Sequence, residues 1–430
     1  MTNAELVARS LAAVWHPCTQ MKSHERFPLV PVSRGEGPWL HDFEGRRYLD
    51  AVSSWWVNLF GHAHPAINAA VQSQLQALEH AMLAGFTHEP AVRLAERLSA
   101  LAPGRLGHAF FASDGASATE IALKMAFHYW ANRGHAGKDR FVALEGGYHG
   151  ETLGSLSVTD VAIFRDAYGP LLRPCVTAPF PGPGIEGARR AAAALEALLA
   201  QRSAEIAAFI VEPLVQGASG MRMYDAEYLR CAREICERHE VLLIADEIMT
   251  GFGRTGTLFA CEQAGIAPDL ICLSKGITGG YLPLSCVLSS DEVYSAFYDD
   301  RVARGFLHSH SYTGNPLACS AANAVLDLFE RGDVIAVNRD KAARFTAMAR
   351  SLAVDPRVLG FRHLGMVWAF EVGTAQDSFA QRAFEIALRH EVLLRPIGGT
   401  VYFMPPYVVG DEEFSLLLRA ARAIVEELGR

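Results

Sequence analysis

Val241-Leu-Leu-Ile-Ala-Asp-Glu247 and Asp269-Leu-Ile-Cys-Leu-Ser-Lys275 are two short apolar runs that each finish in charged residues. Runs of this length, without a period of two, read as strands buried on both faces of a parallel sheet. Ligands of such sheets bind beyond the carboxyl ends of the strands, which is where Asp246 and Lys275 fall. A lysine amine able to form a Schiff base and an aspartate able to keep a pyridine nitrogen protonated are what pyridoxal phosphate needs from a protein. Alone, a lysine after a strand is more often a surface residue, and an aspartate there is commonly a helix cap. The two on one rim favour the cofactor, and Ser274-Lys-Gly-Ile-Thr-Gly-Gly280 surrounds the amine with small residues that permit close approach.

Working outward, apolar runs alternate with helix-like stretches. Strands are predicted at 108–112, 140–144, 207–211, 241–245, 270–273 and 284–288, and helices at 116–130, 187–201 and 227–238. That alternation predicts an α/β fold, with a mainly parallel sheet covered by helices forming a large domain and a smaller α+β domain beside it. The expected organisation is an N-terminal segment 1–60 packing with the small domain, a large cofactor-binding domain 61–325 and a C-terminal small domain 326–430. A chain of 430 residues with net charge −8 and no basic run excludes an obvious nucleic-acid face. Glu5 and Arg9 interrupt any signal-peptide core, and no apolar stretch approaches ~20 residues, so no membrane association and a cytoplasmic location are expected. The eight cysteines show no CxxC pair and read as reduced thiols.

Ala112-Ser-Asp-Gly-Ala-Ser117 runs from a strand into a helix, so backbone N–H groups at Gly115 and Ala116 can bind a phosphate, with Ser117 adding a hydroxyl. An ordinary cap turn looks similar. Tyr148-His149-Gly150 can place an aromatic ring over a cofactor face; the bland alternative is a buried Tyr and His in a loop. Gly251-Phe-Gly-Arg-Thr-Gly256 matches the dinucleotide fingerprint by letter, but Asp246 to Thr250 separate it from the strand and no strong helix follows, so it is a false match. His62 and His64 lack the company of a metal site, and none is expected.

Taken together, these residues resemble the class III, fold-type I aminotransferases that depend on pyridoxal phosphate, over nearly the whole chain. The segments that carry the resemblance are Leu243-Ile-Ala-Asp-Glu-Ile248, Gly251 to Gly256, Leu273-Ser-Lys-Gly276 and Tyr312-Thr-Gly-Asn-Pro-Leu-Ala318. Trp15-His-Pro-Cys-Thr-Gln-Met21, Ser53-Ser-Trp-Trp56, Gly217 to Tyr224, Leu394-Arg-Pro396 and Tyr402 to Tyr407 are similar to the branch of the class that works in biotin synthesis. That branch uses S-adenosylmethionine to aminate 8-amino-7-oxononanoate.

The resemblance implies Lys275 as the Schiff-base lysine, Asp246 as the partner of the pyridine nitrogen and Tyr148 as the residue stacked on the ring. Gly115 and Ala116 would hold the phosphate, joined by Ser311 from the neighbouring subunit of a homodimer. Trp55, Ser309, Arg395 and Tyr402 would line the substrate pocket with Tyr148, and Arg254 would assist. Aromatic walls and a bidentate arginine suit an acceptor whose long aliphatic chain ends in a carboxylate. Three positions depart from the family's best-known pattern. Cys18 replaces a pocket tyrosine, His308-Ser-His-Ser311 replaces Gly-Pro-Thr, and Glu151 replaces an aspartate. The nearest rival is a class III ω-aminotransferase of broad specificity; a non-catalytic cofactor-bound scaffold and a nicotinamide dehydrogenase stand further off. No residue decides the amino donor physically.

Overall fold

A computed structural model describes residues 1–27, 29–373 and 378–429. The chain divides into two compact units, Ala66–Arg339 and, from its two ends, Met1–Pro65 with Asp340–Arg430.

The first unit is built on a seven-stranded sheet, labelled here β1 (His108–Ala112), β2 (Arg140–Leu144), β3 (Val176–Ala178), β4 (Ile206–Val211), β5 (Leu242–Asp246), β6 (Leu270–Leu273) and β7 (Ser285–Ser289). Their order across the sheet is β1-β7-β6-β5-β4-β2-β3. The run β6-β5-β4-β2-β3 is parallel, and β7 is antiparallel to both β6 and β1. Every residue of β4, β5 and β6 is buried, which is why those segments are unbroken apolar runs in the sequence. The expected strands are all present, 108–112, 140–144 and 270–273 with their bounds unchanged and the other three with edges shifted by a residue. The three-residue β3 is additional.

Helix α1 (Gly115–Asn132) lies against this sheet. It starts where it does because Asp114 caps it, accepting from the Ser117 N–H at 2.9 Å. Ile121, Ala122, Met125 and Tyr129 repeat at helical spacing and are buried in the same core as Ile210, Ile244 and Val287. The unit runs on to Arg339, past residue 325, because helix Pro316–Gly332 is tied to helix Glu89–Leu101 of the same unit. Arg97 donates to the Asn323 carbonyl at 2.8 Å and pairs with Asp327 at 2.9 Å.

Lys138 is the unusual group in this core, only 6 % exposed. Its ammonium donates to the carbonyls of Ser203, Ile206 and Glu240 at 2.9, 3.3 and 2.6 Å and lies 4.3 Å from the centre of the Trp130 ring. One cation thus ties together the starts of β2 and β4 and the turn before β5. Burial pushes its pKa down, opposed by the negative charge of Glu240. Lys138→Met leaves three backbone acceptors, one of them buried and two part-buried, without their donor, so it is expected to cost about 1–3 kcal/mol of stability, seen as a lower thermal midpoint. An unchanged midpoint would show that the cage contributes nothing net.

The second unit holds a four-stranded sheet, Val32–Glu36, Trp39–Asp42, Arg47–Asp50 and Val392–Leu393, in which the last strand runs parallel to the third. It also holds an antiparallel sheet of Val358–Leu364, Val367–Val372 and Thr400–Phe403. Helices Phe379–Arg389 and Asp411–Leu428 bury one face each. Among the described residues no helix is long and apolar enough to cross a membrane, no cluster of His, Cys, Asp and Glu could hold a metal, and all eight cysteines are free thiols.

Candidate active site

Four neighbouring strands deliver five chemical groups to one rim of the sheet. In spatial order, β6 is followed by Lys275, β5 ends in Asp246, β4 is followed by Glu212, and β2 leads into Tyr148 and His149. Because these strands are parallel, their carboxyl ends face the same way.

Asp246 is 4 % exposed, and two donors hold it. His149 Nδ1 lies 2.7 Å from Oδ2, and the Ile248 N–H donates to Oδ1 at 3.1 Å. An ionised carboxylate only accepts, so Nδ1 carries the proton, and of about four lone-pair sites two are filled. Two donors leave a buried carboxylate with acceptor capacity unfilled, a cost that an added cation relieves. His149 is itself fixed, since its N–H donates to Thr159 Oγ1 at 3.0 Å.

Lys275 opens a tight turn, Lys275–Thr278, with φ at +46°, a left-handed conformation that a residue with a Cβ rarely takes. Such strain collects at functional positions. Burial pushes the amine's pKa below its ordinary value, and the negative charges of Asp246 and Glu212 oppose that shift. A half-buried lysine that gives up its proton readily is suited to covalent and proton-transfer chemistry.

Glu212 is buried at 6 % exposure and is the residue that the sequence reading missed. Its two oxygens accept from the N–H groups of Tyr148 and Gly217, both at 3.0 Å. The signal was available: like Asp246, it is a carboxylate at the end of a fully apolar run. Burial pushes its carboxyl from 4.5 up to about 7, opposed by the neighbouring His149. The folded protein thus keeps a proton that the unfolded chain releases near 4.5, and the resulting stability, complete below that pH, is lost as pH rises through about 7. Glu212→Gln abolishes the titration. Between about pH 5 and 8 the variant's thermal midpoint is expected to fall less steeply than the parent's, and parallel slopes would refute the shift.

The start of α1 supplies an anion cup, with the N–H groups of Gly115 and Ala116 at the positive end of an 18-residue helix. Gly150 brings the Tyr148 loop onto this first turn; its φ is +121°, and a Cβ there would stand 2.6 Å from that of Ala116. Ser117 is not free to reach an anion as expected, because its hydroxyl donates to Asp114 Oδ2 at 3.0 Å. Tyr148 packs against Phe164 and donates its hydroxyl to Glu151 at 2.9 Å, so the longer acid at 151 is in use. In the 308–311 stretch the serines 309 and 311 are exposed while the histidines turn inward. Lys124 Nζ meets His308 Nδ1 at 2.7 Å, the two His Nε2 atoms are 3.3 Å apart, and His310 Nδ1 lies 3.2 Å from Ser113 Oγ, beside the cup. Arg254 is fully buried in this unit.

The remaining expected pocket residues cluster in the second unit. The Arg395 guanidinium stacks 4.6 Å from the centre of the Trp55 ring and donates to the Cys18 carbonyl at 3.0 Å. Position 18 is thus used through its backbone. Tyr402 is buried, and its hydroxyl accepts from Trp56 Nε1 at 2.9 Å.

A family model described as aminotransferase class-III matches residues 20–425. The adenosylmethionine-8-amino-7-oxononanoate aminotransferase of Helicobacter pylori is 44% identical over 430 residues, covering 98% of each chain. Among solved structures, the enzyme of the same name from Methanocaldococcus jannaschii superposes with a TM-score of 0.95 at 34% identity, covering 99% of both chains. An amine transaminase from an uncultivated Pseudomonas species, solved in its PLP-bound form, gives 0.91 at 32% identity over 97% of this chain and 99% of its own.

Proposed function

Because this chain belongs to the class III aminotransferases, we propose that it transfers the amino group of S-adenosylmethionine to 8-amino-7-oxononanoate, giving 7,8-diaminononanoate for biotin synthesis. The observation that carries the reading is the buried Asp246–His149 pair, at 2.7 Å, on the strand beside the one that presents Lys275. The near full-length likeness to enzymes of that name supports the choice of substrates.

The donor set fits pyridoxal 5'-phosphate. Asp246 has acceptor capacity for a protonated pyridine nitrogen, the N–H groups of Gly115 and Ala116 suit a phosphate, and Tyr148 offers an aromatic face. When bound, the cofactor supplies the electron sink on which transamination depends. Lys275 Nζ anchors it and shuttles the proton, a task favoured by an amine whose pKa burial has lowered. His149 keeps the Asp246 carboxylate oriented. Glu212 fixes the Tyr148 loop through its backbone N–H. In the second unit Trp55 and Tyr402 offer the acceptor aromatic walls and Arg395 offers a grip for its carboxylate; in the first unit Ser309 and Arg254 take the substrate roles expected of them. Ser311 reaches the phosphate of a neighbouring subunit in a homodimer, and the enzyme works in the cytoplasm.

The test is to incubate cofactor-loaded protein with S-adenosylmethionine and 8-amino-7-oxononanoate and to measure 7,8-diaminononanoate by mass spectrometry. Product formed from both substrates supports the reading. If only simple amines serve as donors, with small ketones as acceptors, the broad-specificity ω-aminotransferase reading replaces it, a reading favoured by the likeness to the amine transaminase.

A further inference from the structure

Ser53, Ser54, Trp55 and Trp56 have φ values of +52, +48, +71 and +75°. Four consecutive residues, none of them glycine, thus form a turn of left-handed helix. Each Cβ crowds the following carbonyl in this conformation, so side-chain-bearing residues adopt it singly and almost never in series. Something must hold the turn, and the holder is Asp50, a fully buried carboxylate. Its Oδ1 accepts the Ser54 N–H at 2.9 Å and its Oδ2 accepts the Ser54 hydroxyl at 2.7 Å. His62 Nε2 reaches the same Oδ2 at 3.0 Å, and His62 Nδ1 is in turn 3.1 Å from the Asn58 side chain. Serine, histidine and aspartate are the residue types of a hydrolytic triad, but here the hydroxyl is donated to the carboxylate and not to the imidazole, so no nucleophile is activated. The wiring is structural.

At either end the turn is pinned again. Ser53 Oγ donates to the Met404 carbonyl at 2.7 Å and Trp56 Nε1 to the Tyr402 hydroxyl at 2.9 Å. Trp56 is therefore sunk in the unit, while its neighbour Trp55, 43 % exposed, is turned outward under the Arg395 guanidinium. We infer that Asp50 is the positioning residue of the acceptor pocket: through Ser54 it stores the strain of a left-handed turn whose product is the outward Trp55 plane beneath Arg395. Asp50 touches no substrate. The inference rests on the proposed role of Trp55 and Arg395 in holding the acceptor's chain and carboxylate, and adds what fixes them and so tunes acceptor selectivity.

The experiment compares Asp50→Asn, Ser54→Ala and Ser54→Gly with Trp55→Ala and Arg395→Ala, all as cofactor-loaded protein. KM and kcat for 8-amino-7-oxononanoate are measured beside the near-ultraviolet circular dichroism of the tryptophans. Asp50→Asn keeps the side chain's shape but replaces the doubly used Oδ2 by a donor, and is expected to raise acceptor KM about tenfold with little change in kcat. The tryptophan dichroism is expected to weaken in parallel. Ser54→Ala and Ser54→Gly lose the same hydroxyl but only glycine relieves the φ penalty, so Ser54→Gly is expected to melt above Ser54→Ala. A fall in kcat at unchanged KM, as from partial unfolding, overturns the inference, as does wild-type KM in both Asp50→Asn and Ser54→Ala. Should Asp50→Asn fail to fold, Ser54→Ala alone carries the comparison. If Trp55→Ala and Arg395→Ala also leave KM unchanged, the acceptor-pocket reading itself has failed; if they raise it while the Asp50 and Ser54 variants do not, only the role of Asp50 has.

Discussion

Lys275→Ala is expected to lower turnover of the cofactor-loaded enzyme by at least about 10⁴-fold, the upper range for loss of a positioned acid–base group. Two roles disappear with one amine, covalent anchoring and proton transfer. Lys275→Arg sharpens the argument. It keeps a positive charge facing Asp246 and Glu212, but a guanidinium does not deprotonate in a protein, so it cannot take the proton. If charge alone mattered, the arginine variant would work; if the proton matters, both fail alike. The backbone adds a constraint, because the left-handed φ of +46° places the side chain in a conformation that neither substitution relieves. Both variants are therefore expected to fold. Single-turnover measurements with each substrate, together with borohydride treatment and peptide mass spectrometry, separate the two roles. Small primary amines added to Lys275→Ala are expected to restore part of the rate. Turnover near that of the parent in either variant would dispose of the assignment.

Much of this was legible because burial on two faces leaves a mark in one dimension. β4, β5 and β6 lie inside the sheet, so their sequences carry no polar alternation and their ends announce Asp246 and Lys275. The direction of β7 is not written in its composition, yet it follows from the linker: residues 274–284 are too few for the crossover that a parallel partner of β6 requires. Other features have no local signature. His149 lies 97 residues from the carboxylate it binds, and only the order β5-β4-β2 across the sheet makes them neighbours. β3 is three residues long, below the length at which a period can be read. The left-handed turn at Ser53–Trp56 contains no glycine to betray it, since its cost is met by Asp50, Met404 and Tyr402. Ser117 shows the converse. Its position suggested a phosphate ligand, but an aspartate three residues earlier in the chain claims its hydroxyl.

Asp246→Asn tests what the buried carboxylate does, and it is expected to lower kcat by about 10²–10³-fold, equivalent to about 2.7–4 kcal/mol, the usual loss when one preorganised electrostatic partner is removed from a dry site. The substitution is nearly isosteric, and Oδ1 can still accept the Ile248 N–H, so the fold and the end of β5 are expected to survive. What changes is the sign of the demand on its neighbours. The carboxylate accepts from His149 Nδ1 and retains capacity for a second cationic N–H. The amide can satisfy His149 only by donating to Nδ1, which drives the imidazole proton to Nε2, a buried nitrogen with no hydrogen-bond partner among the described residues. The amide also carries no charge to keep a pyridine nitrogen protonated, so the cofactor is expected to bind more weakly and its absorbance to become sensitive to pH. His149→Gln separates the contributions: it leaves the Asp246 charge in place but removes its orientation, so a smaller loss of about tenfold is expected. The rate loss from the two substitutions combined should be well below the product of the single losses, because both act on one carboxylate. Independent, multiplicative losses would mean that His149 serves some purpose other than holding Asp246.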